Sequence, residues 1–279
     1  MKDIKLVALD LDGTLFDNSS RISERNLTAI RSITDKGIHV VISTGRPFEG
    51  IPFDQIKGTG INYAITANGS GIYEISTGKC LYENAMDEEL VTPILNFLLT
   101  RDIHMDAFIG GKGYTPIQCV ETAQKLTVPS SIKNYIITTR TRLDNILQFI
   151  HENQLKVQKM TLNFYPAADG TLIDRETVRK FLVSNPSSTT VCGGYNNLEF
   201  TRADANKGVG LRKLAEILGV NPDATMAIGD TENDLAIIEA AGIGVAMGNA
   251  TDAVKARADY VTTTNTKDGV AAAIEHFIL

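Results

Sequence analysis

Near its start the chain reads "KLVALDLDGTLF", so that Asp10 and Asp12 close an apolar run with a single leucine between them. Residues two apart in an extended chain point to the same side. Both carboxylates are therefore expected to project together. At about 4 Å and an effective dielectric near 20, two unit charges repel by roughly 4 kcal/mol, so positive charge belongs nearby. Three more groups have the right chemistry to join them: Ser43-Thr44-Gly45-Arg46, the isolated Lys207, and Gly229-Asp230-Thr231-Glu232-Asn233-Asp234. If they converge, Asp10, Asp12 and Asp230, with Asp234 as a fourth, face one lysine. Such an excess of carboxylate oxygen calls for a hard divalent cation, and without a His or Cys cluster zinc is a poor fit. Magnesium fits best, because it takes one or two carboxylates, keeps several waters and leaves a position for a phosphate oxygen.

Convergence needs a scaffold, and the hydrophobic pattern supplies one. Short apolar runs recur at Leu6–Leu9, Ile38–Ile42, Tyr63–Ile65, Thr225–Ile228 and Ile243–Met247. Runs of this length suit strands buried on both faces of a parallel sheet. Helical patterns lie between them: Ser23 caps one with the apolar face Leu27, Ile30 and Ile33 before Gly37, and Val209, Leu214, Ile217 and Leu218 line another that ends at Gly219. Alternating strand and helix implies a doubly wound α/β sheet, whose ligands bind beyond the carboxyl ends of the strands. Each chemical cluster falls at or just after such a strand end or at a helix start.

The middle of the chain reads differently. Helix patterns (Leu90, Val91, Ile94, Leu95, Leu98; Leu143, Ile146, Leu147, Ile150; Val178, Phe181, Leu182) alternate with strands such as "VQKMTLNFY" in which polar and apolar residues take turns. That alternation predicts a sheet with one covered face. The division expected is a discontinuous core of residues 1–84 and 196–279 with a second α+β domain, 85–195, inserted into it. The insert carries 11 basic and 11 acidic residues, so the core carries the whole net charge of −6. An acidic chain with pI about 5.3 offers no overall basic field for nucleic acid or an anionic membrane. No apolar run reads as a membrane span, and Leu6–Leu9 is too short for a secretory signal. Cys80, Cys119 and Cys192 are odd in number and widely spaced, which reads as reduced thiols; the cytoplasm is the default. His39, His104, His151 and His276 read as structural or surface residues.

Taken together, "DLDGT", "STGR", Lys207 and "GDTENDLAIIEAAGIGVAMGNA" resemble the haloacid dehalogenase superfamily of phosphohydrolases, most closely its Cof-like branch. The order of motifs, and an insert between the second and third, match that branch's large α/β cap. The resemblance implies a Rossmann-like core with an inserted α+β cap domain that closes over the site. It also implies roles. Asp10 is the nucleophile that becomes an aspartyl phosphate, and Asp12 the general acid and base, its pKa raised by carboxylate crowding. Asp10, the main-chain carbonyl of Asp12, Asp230 and Asp234 would hold magnesium. Ser43, with backbone N–H groups of Leu11, Thr44 and Gly45, would bind phosphate, Lys207 would neutralise the transferring group, and Asn233 would hydrogen-bond to phosphate or to a metal-bound water. The implied activity is a magnesium-dependent phosphatase of small metabolites, sugar phosphates and similar, working as a monomer or homodimer. A sugar-phosphate phosphomutase and a non-catalytic sensor of metal and phosphoanion are its rivals. Plainer readings stand beside these: Asp12-Gly13 is also a turn signal, Thr231 with Asp234 a helix capping box, and Lys207 alone a surface lysine.

Overall fold

The computed structural model describes residues 3–279, which fall into two units. The first comprises the described residues up to 46, with 51–83 and 206–279; the second, residues 47–50 and 84–205. The first is built on an eight-stranded sheet in the order Tyr260–Val261, Ile243–Ala246, Thr225–Gly229, Leu6–Leu9, His39–Ser43, Tyr63–Thr66, Gly71–Glu74, Cys80–Glu83. Pairing is parallel from Tyr260–Val261 through Tyr63–Thr66, and the last two strands return antiparallel. Leu6–Leu9 and Thr225–Gly229 lie side by side with Leu9 opposite Ile228. Successive crossovers run outward in opposite directions from this pair, which makes it the topological switch point.

Helices follow the signals for them. Ser23 accepts the Asn26 N–H to cap Glu24–Thr34, and the helix buries Asn26, Ala29, Ile30 and Ile33. Asn206 caps Lys207–Leu218 by accepting from Val209 N, and Gly219 ends it in the left-handed conformation. Here the expected apolar face is rotated: Ile217 is 42% exposed, while Gly208, Gly210, Leu211, Leu214 and Ala215 are buried. The reason is close approach. A Cβ on Gly208 would lie 2.2 Å from the Ala236 carbonyl oxygen, so glycine lets this helix pack against Leu235–Ala240.

The second unit holds a six-stranded sheet in the order Ser188–Val191, Leu198–Arg202, Lys159–Asn163, His104–Ile109, Lys112–Pro116, Thr141–Leu143. Glu88–Leu98, Ile146–Glu152 and Arg175–Val183 pack with its apolar face, where Met105, Ala107, Met160, Leu162 and Phe200 are buried. Two expectations need correction. Residues 196–205 belong to this unit and not to the core, because Leu198–Arg202 pairs antiparallel with both Lys159–Asn163 and Ser188–Val191. Nothing in the composition marks that boundary; strand pairing decides it. The polar face is not left to solvent either. Every residue of Lys159–Asn163 is buried, and its charges find partners: Lys159 Nζ lies 2.8 Å from Glu199, and Arg140 Nε lies 2.9 Å from Asp106. His104 is buried against Asn163, in keeping with a structural role. No helix among the described residues is long and apolar enough to cross a membrane.

Candidate active site

The chain leaves Leu6–Leu9 through a tight turn. Leu15 N donates to Asp10 O and Phe16 N to Leu11 O, with Gly13 at φ +86°. The turn therefore forms as the Asp-Gly signal predicts, and glycine is required for two reasons. A left-handed L-residue costs about 1–2 kcal/mol, and a Cβ here would sit 2.2 Å from Asp230 Oδ2. Gly13→Ala is expected to lower unfolding free energy by at least that backbone cost; urea unfolding checks it, and an unchanged midpoint would refute the packing account.

The turn separates the two aspartates of the first motif. Asp10 is buried, and Lys207 Nζ donates to its Oδ1 at 2.7 Å. Asp12, half-exposed, is gripped by Arg46, whose Nε lies 2.8 Å from one carboxylate oxygen and Nη2 2.6 Å from the other. The positive charge demanded by the Asp-x-Asp spacing is thus supplied twice, once for each carboxylate. Neighbouring carboxylates crowd Asp10 and Asp230, and Asp12 is one of those that press on Asp230. Arg46, which closes the STGR motif but is given no role by the sequence, is part of the arrangement, and its guanidinium lies 5.5 Å from the Phe16 ring centroid.

Lys207 sits at the first position of its helix, where the helix dipole opposes a cation. It is wholly buried and held by Asp10 and by Asp234, 2.6 Å away. Burial alone would lower its pKa; the two carboxylates outweigh burial and raise it. This lysine is not a surface residue. Asp234 is engaged on both oxygens: Oδ1 takes Lys207, and Oδ2 accepts the N–H groups of Asp230 and Thr231 at 3.0 and 3.1 Å. The Thr231/Asp234 capping box is formed.

Ligand oxygens of Asp10, Asp230 and Asp234 lie within 4.8 Å of one another, and all three residues are buried. Burial first, then the neighbouring Asp234, push the Asp230 carboxyl up to about 7, although Thr14 donates to its Oδ1 at 3.1 Å. Burial and Asp234 likewise carry Asp10 well above the ordinary carboxylate range, against the pull of Lys207. Three carboxylates against one ammonium is an unmet demand for positive charge, and the donors are hard oxygens; the residues fit a magnesium ion.

The remaining expected residues fare unevenly. Ser43 ends its strand with a buried hydroxyl that has no hydrogen-bond partner, as befits a group awaiting an acceptor or donor. The Thr44 N–H, expected to face phosphate, instead donates to Ile65 O at 2.9 Å, extending the hydrogen bonding between neighbouring strands. Gly45 is half-buried in the turn that leads to Arg46, and Leu11 opens the Asp10 turn with its side chain buried. Asn233 sits between neighbours: its Oδ1 accepts from Thr231 and its Nδ2 lies 3.3 Å from Asn68 Oδ1. Asn68 belongs to a turn that the sequence reading passed over. Ala67, Asn68 and Gly69 follow one another at φ +49°, +55° and +95°, and a Cβ on Gly69 would lie 2.1 Å from Asn206 O. The Asn-Gly pair after a strand was the available signal.

A parallel α/β sheet whose carboxyl edge gathers a buried carboxylate cluster, one lysine and an unpartnered serine defines a phosphoryl-handling class of fold and site. Residues 7–274 match the haloacid dehalogenase-like hydrolase family, and the chain belongs to it. The chain is 34% identical to the Bacillus subtilis 5-amino-6-(5-phospho-D-ribitylamino)uracil phosphatase YcsE over 99% of this chain and 97% of that one. It also matches the solved structure of a haloacid dehalogenase-like hydrolase from B. subtilis, with a TM-score of 0.84 at 28% identity over 99% and 100% of the two chains. A subclass IIB sugar phosphatase of the same superfamily superposes with a TM-score of 0.79 at 25% identity, covering 98% of each. The protein is a phosphoric monoester hydrolase of this family.

Proposed function

We propose that the chain is a magnesium-dependent phosphatase hydrolysing phosphomonoesters of small metabolites through an aspartyl phosphate on Asp10. The observation that carries this reading is the buried Asp10 carboxylate, fixed through Oδ1 by Lys207 beside Asp230 at the switch point of the sheet. Its other oxygen attacks phosphorus while the bond to the leaving oxygen breaks, and Asp12 delivers the proton that oxygen needs. Water then attacks the phosphoryl group, Asp12 takes its proton, and the bond to Asp10 breaks to release phosphate. For either transfer Asp12 must leave its pair with Arg46. Lys207 balances charge on the transferring group, and the Ser43 hydroxyl hydrogen-bonds to it. Bound magnesium would supply further positive charge there, held by Asp10, Asp230 and the main-chain carbonyl of Asp12, with Asp234 engaged mainly in holding Lys207. The phosphatases of a ribitylamino-uracil phosphate and of sugar phosphates among its relatives support a small phosphorylated substrate.

Release of inorganic phosphate from an aryl phosphate and from sugar and nucleotide phosphates, with magnesium and with chelator, tests this. Magnesium-dependent release is expected. Recovery of a rearranged sugar phosphate instead would make the chain a mutase, and binding without turnover a sensor.

A second test concerns the metal alone. Asp10 and Asp230 bind protons more tightly folded than unfolded, so their contribution is fully present below the unfolded value, about 4, and is lost as pH rises through their raised folded values, about 7 for Asp230. A dication needs the ionised forms and relieves their repulsion. The rise in melting temperature caused by magnesium is therefore expected to be larger near pH 8 than near pH 5.5; an equal or smaller rise would contradict the site.

A further inference from the structure

Two carbonyls of the turn after Asp12 each accept a hydrogen bond from an asparagine amide. Asn249 Nδ2 donates to Gly13 O at 2.8 Å, and Asn265 Nδ2 donates to Phe16 O at 2.8 Å. The two asparagines are themselves joined, since the Asn265 N–H donates to Asn249 Oδ1 at 2.8 Å. Asn249 Nδ2 also lies 3.5 Å from Asp230 Oδ2, the oxygen that a Cβ on Gly13 would meet at 2.2 Å. Its loop is built onto the same strand end: Met247 N donates to Gly229 O, and Thr251 N to Asp230 O. The Asn265 loop is fixed in turn to that one, because Gly248 N donates to Thr263 O and a Cβ on Gly248 would lie 2.9 Å from Thr262 O.

These bonds form one chain from the Asp230 carboxylate through Asn249 and Asn265 to the far end of the Asp10 turn. Asn249 is exposed and Asn265 half-buried, so neither is held in place to fill the core. We infer that Asn249 and Asn265 act as a paired clamp that positions the Asp10–Phe16 turn against Asp230, and so sets both the affinity for divalent cation and the placement of Asp12. Side chains that orient metal-holding groups typically change metal affinity or activity by about 10- to 100-fold when removed. Because the two amides act through each other, their effects should overlap. This assignment rests on the phosphatase reading proposed above.

The test uses the full chain as Asn249→Ala, Asn265→Ala and the double variant. Magnesium titrations are followed by melting temperature, independently of turnover, and by kcat and KM for the best substrate of the panel. In each single variant the magnesium concentration at half-effect is expected to rise and kcat to fall by about 10-fold or more, with KM within about twofold and metal-free melting within roughly 2 °C of wild type. The double variant should fall little further than the worse single one. Wild-type magnesium dependence and kcat in the variants, fully multiplicative losses in the double, or an equal drop in melting with and without metal would each overturn the clamp. Absence of turnover in the wild-type protein would instead count against the phosphatase reading, while the melting titration would still decide whether the clamp governs metal binding.

Discussion

Asp10→Asn is expected to reduce phosphate release by at least about 10⁴-fold at saturating magnesium, since the amide has no free carboxylate oxygen to bond to phosphorus. The fold should survive the change. Asp10 is one of three buried carboxylates sharing a single lysine, and its neighbour Asp234 keeps the ammonium paired through Oδ1. Neutralising one of the three removes repulsion as well as one attraction, so metal-free melting near neutral pH is expected to match or exceed that of the wild type. The two readouts together are diagnostic: activity lost in a protein that is no less stable. Residual turnover within about tenfold of wild type would remove Asp10 as the nucleophile.

Lys207→Met should damage both fold and chemistry. The wholly buried ammonium touches Asp10 at 2.7 Å and Asp234 at 2.6 Å, and a thioether of similar length offers neither of them a hydrogen bond. Removing one partner of a buried ion pair costs about 3–5 kcal/mol, mainly through the uncompensated charge left behind. That penalty depends on the carboxylates being ionised. Asp10 already holds its proton more tightly than an ordinary carboxyl, so the deficit between variant and wild type should shrink as pH is lowered from about 8 to about 5. Denaturant unfolding at the two pH values checks the sign; a deficit that grows on acidification would sink this account. At the higher pH, kcat is expected to fall by about 10²- to 10³-fold through loss of charge stabilisation at the transferring group.

How much of this could be read before the structure depends on the scale of the feature. Continuous apolar runs, strand-end clusters and the order of the motifs were visible because burial on both faces of a parallel sheet and turn chemistry act locally. The placement of Lys207 at a helix start was visible for the same reason. What escaped detection was set by tertiary contact. Arg46 pairs with Asp12 only because two strand ends meet, and Asn249 and Asn265 matter only through carbonyls of a turn hundreds of residues away in sequence. Gly208 rotates a helix face because the carbonyl of Ala236 comes close, which no helical periodicity reveals. The end of the inserted unit was misplaced because Leu198–Arg202 is assigned by its antiparallel neighbours and not by its own composition.

The strand that delivers Asp10 precedes the inserted unit in the chain, yet its hydrogen-bonded neighbour Thr225–Gly229 follows it. The contacts that define the site span 197 residues between Asp10 and Lys207 and 216 between Thr14 and Asp230. During translation the opening strand must therefore wait, with one edge unsatisfied, until the whole inserted unit has emerged. Closing so long a loop carries an entropic cost before any contact repays it, and it predisposes such topologies to slow assembly. The inserted unit can complete its own sheet during that interval, since all of its pairings lie between residues 104 and 202. The buried carboxylate cluster of Asp10, Asp230 and Asp234 is therefore complete only after the segment that follows the inserted unit has been made.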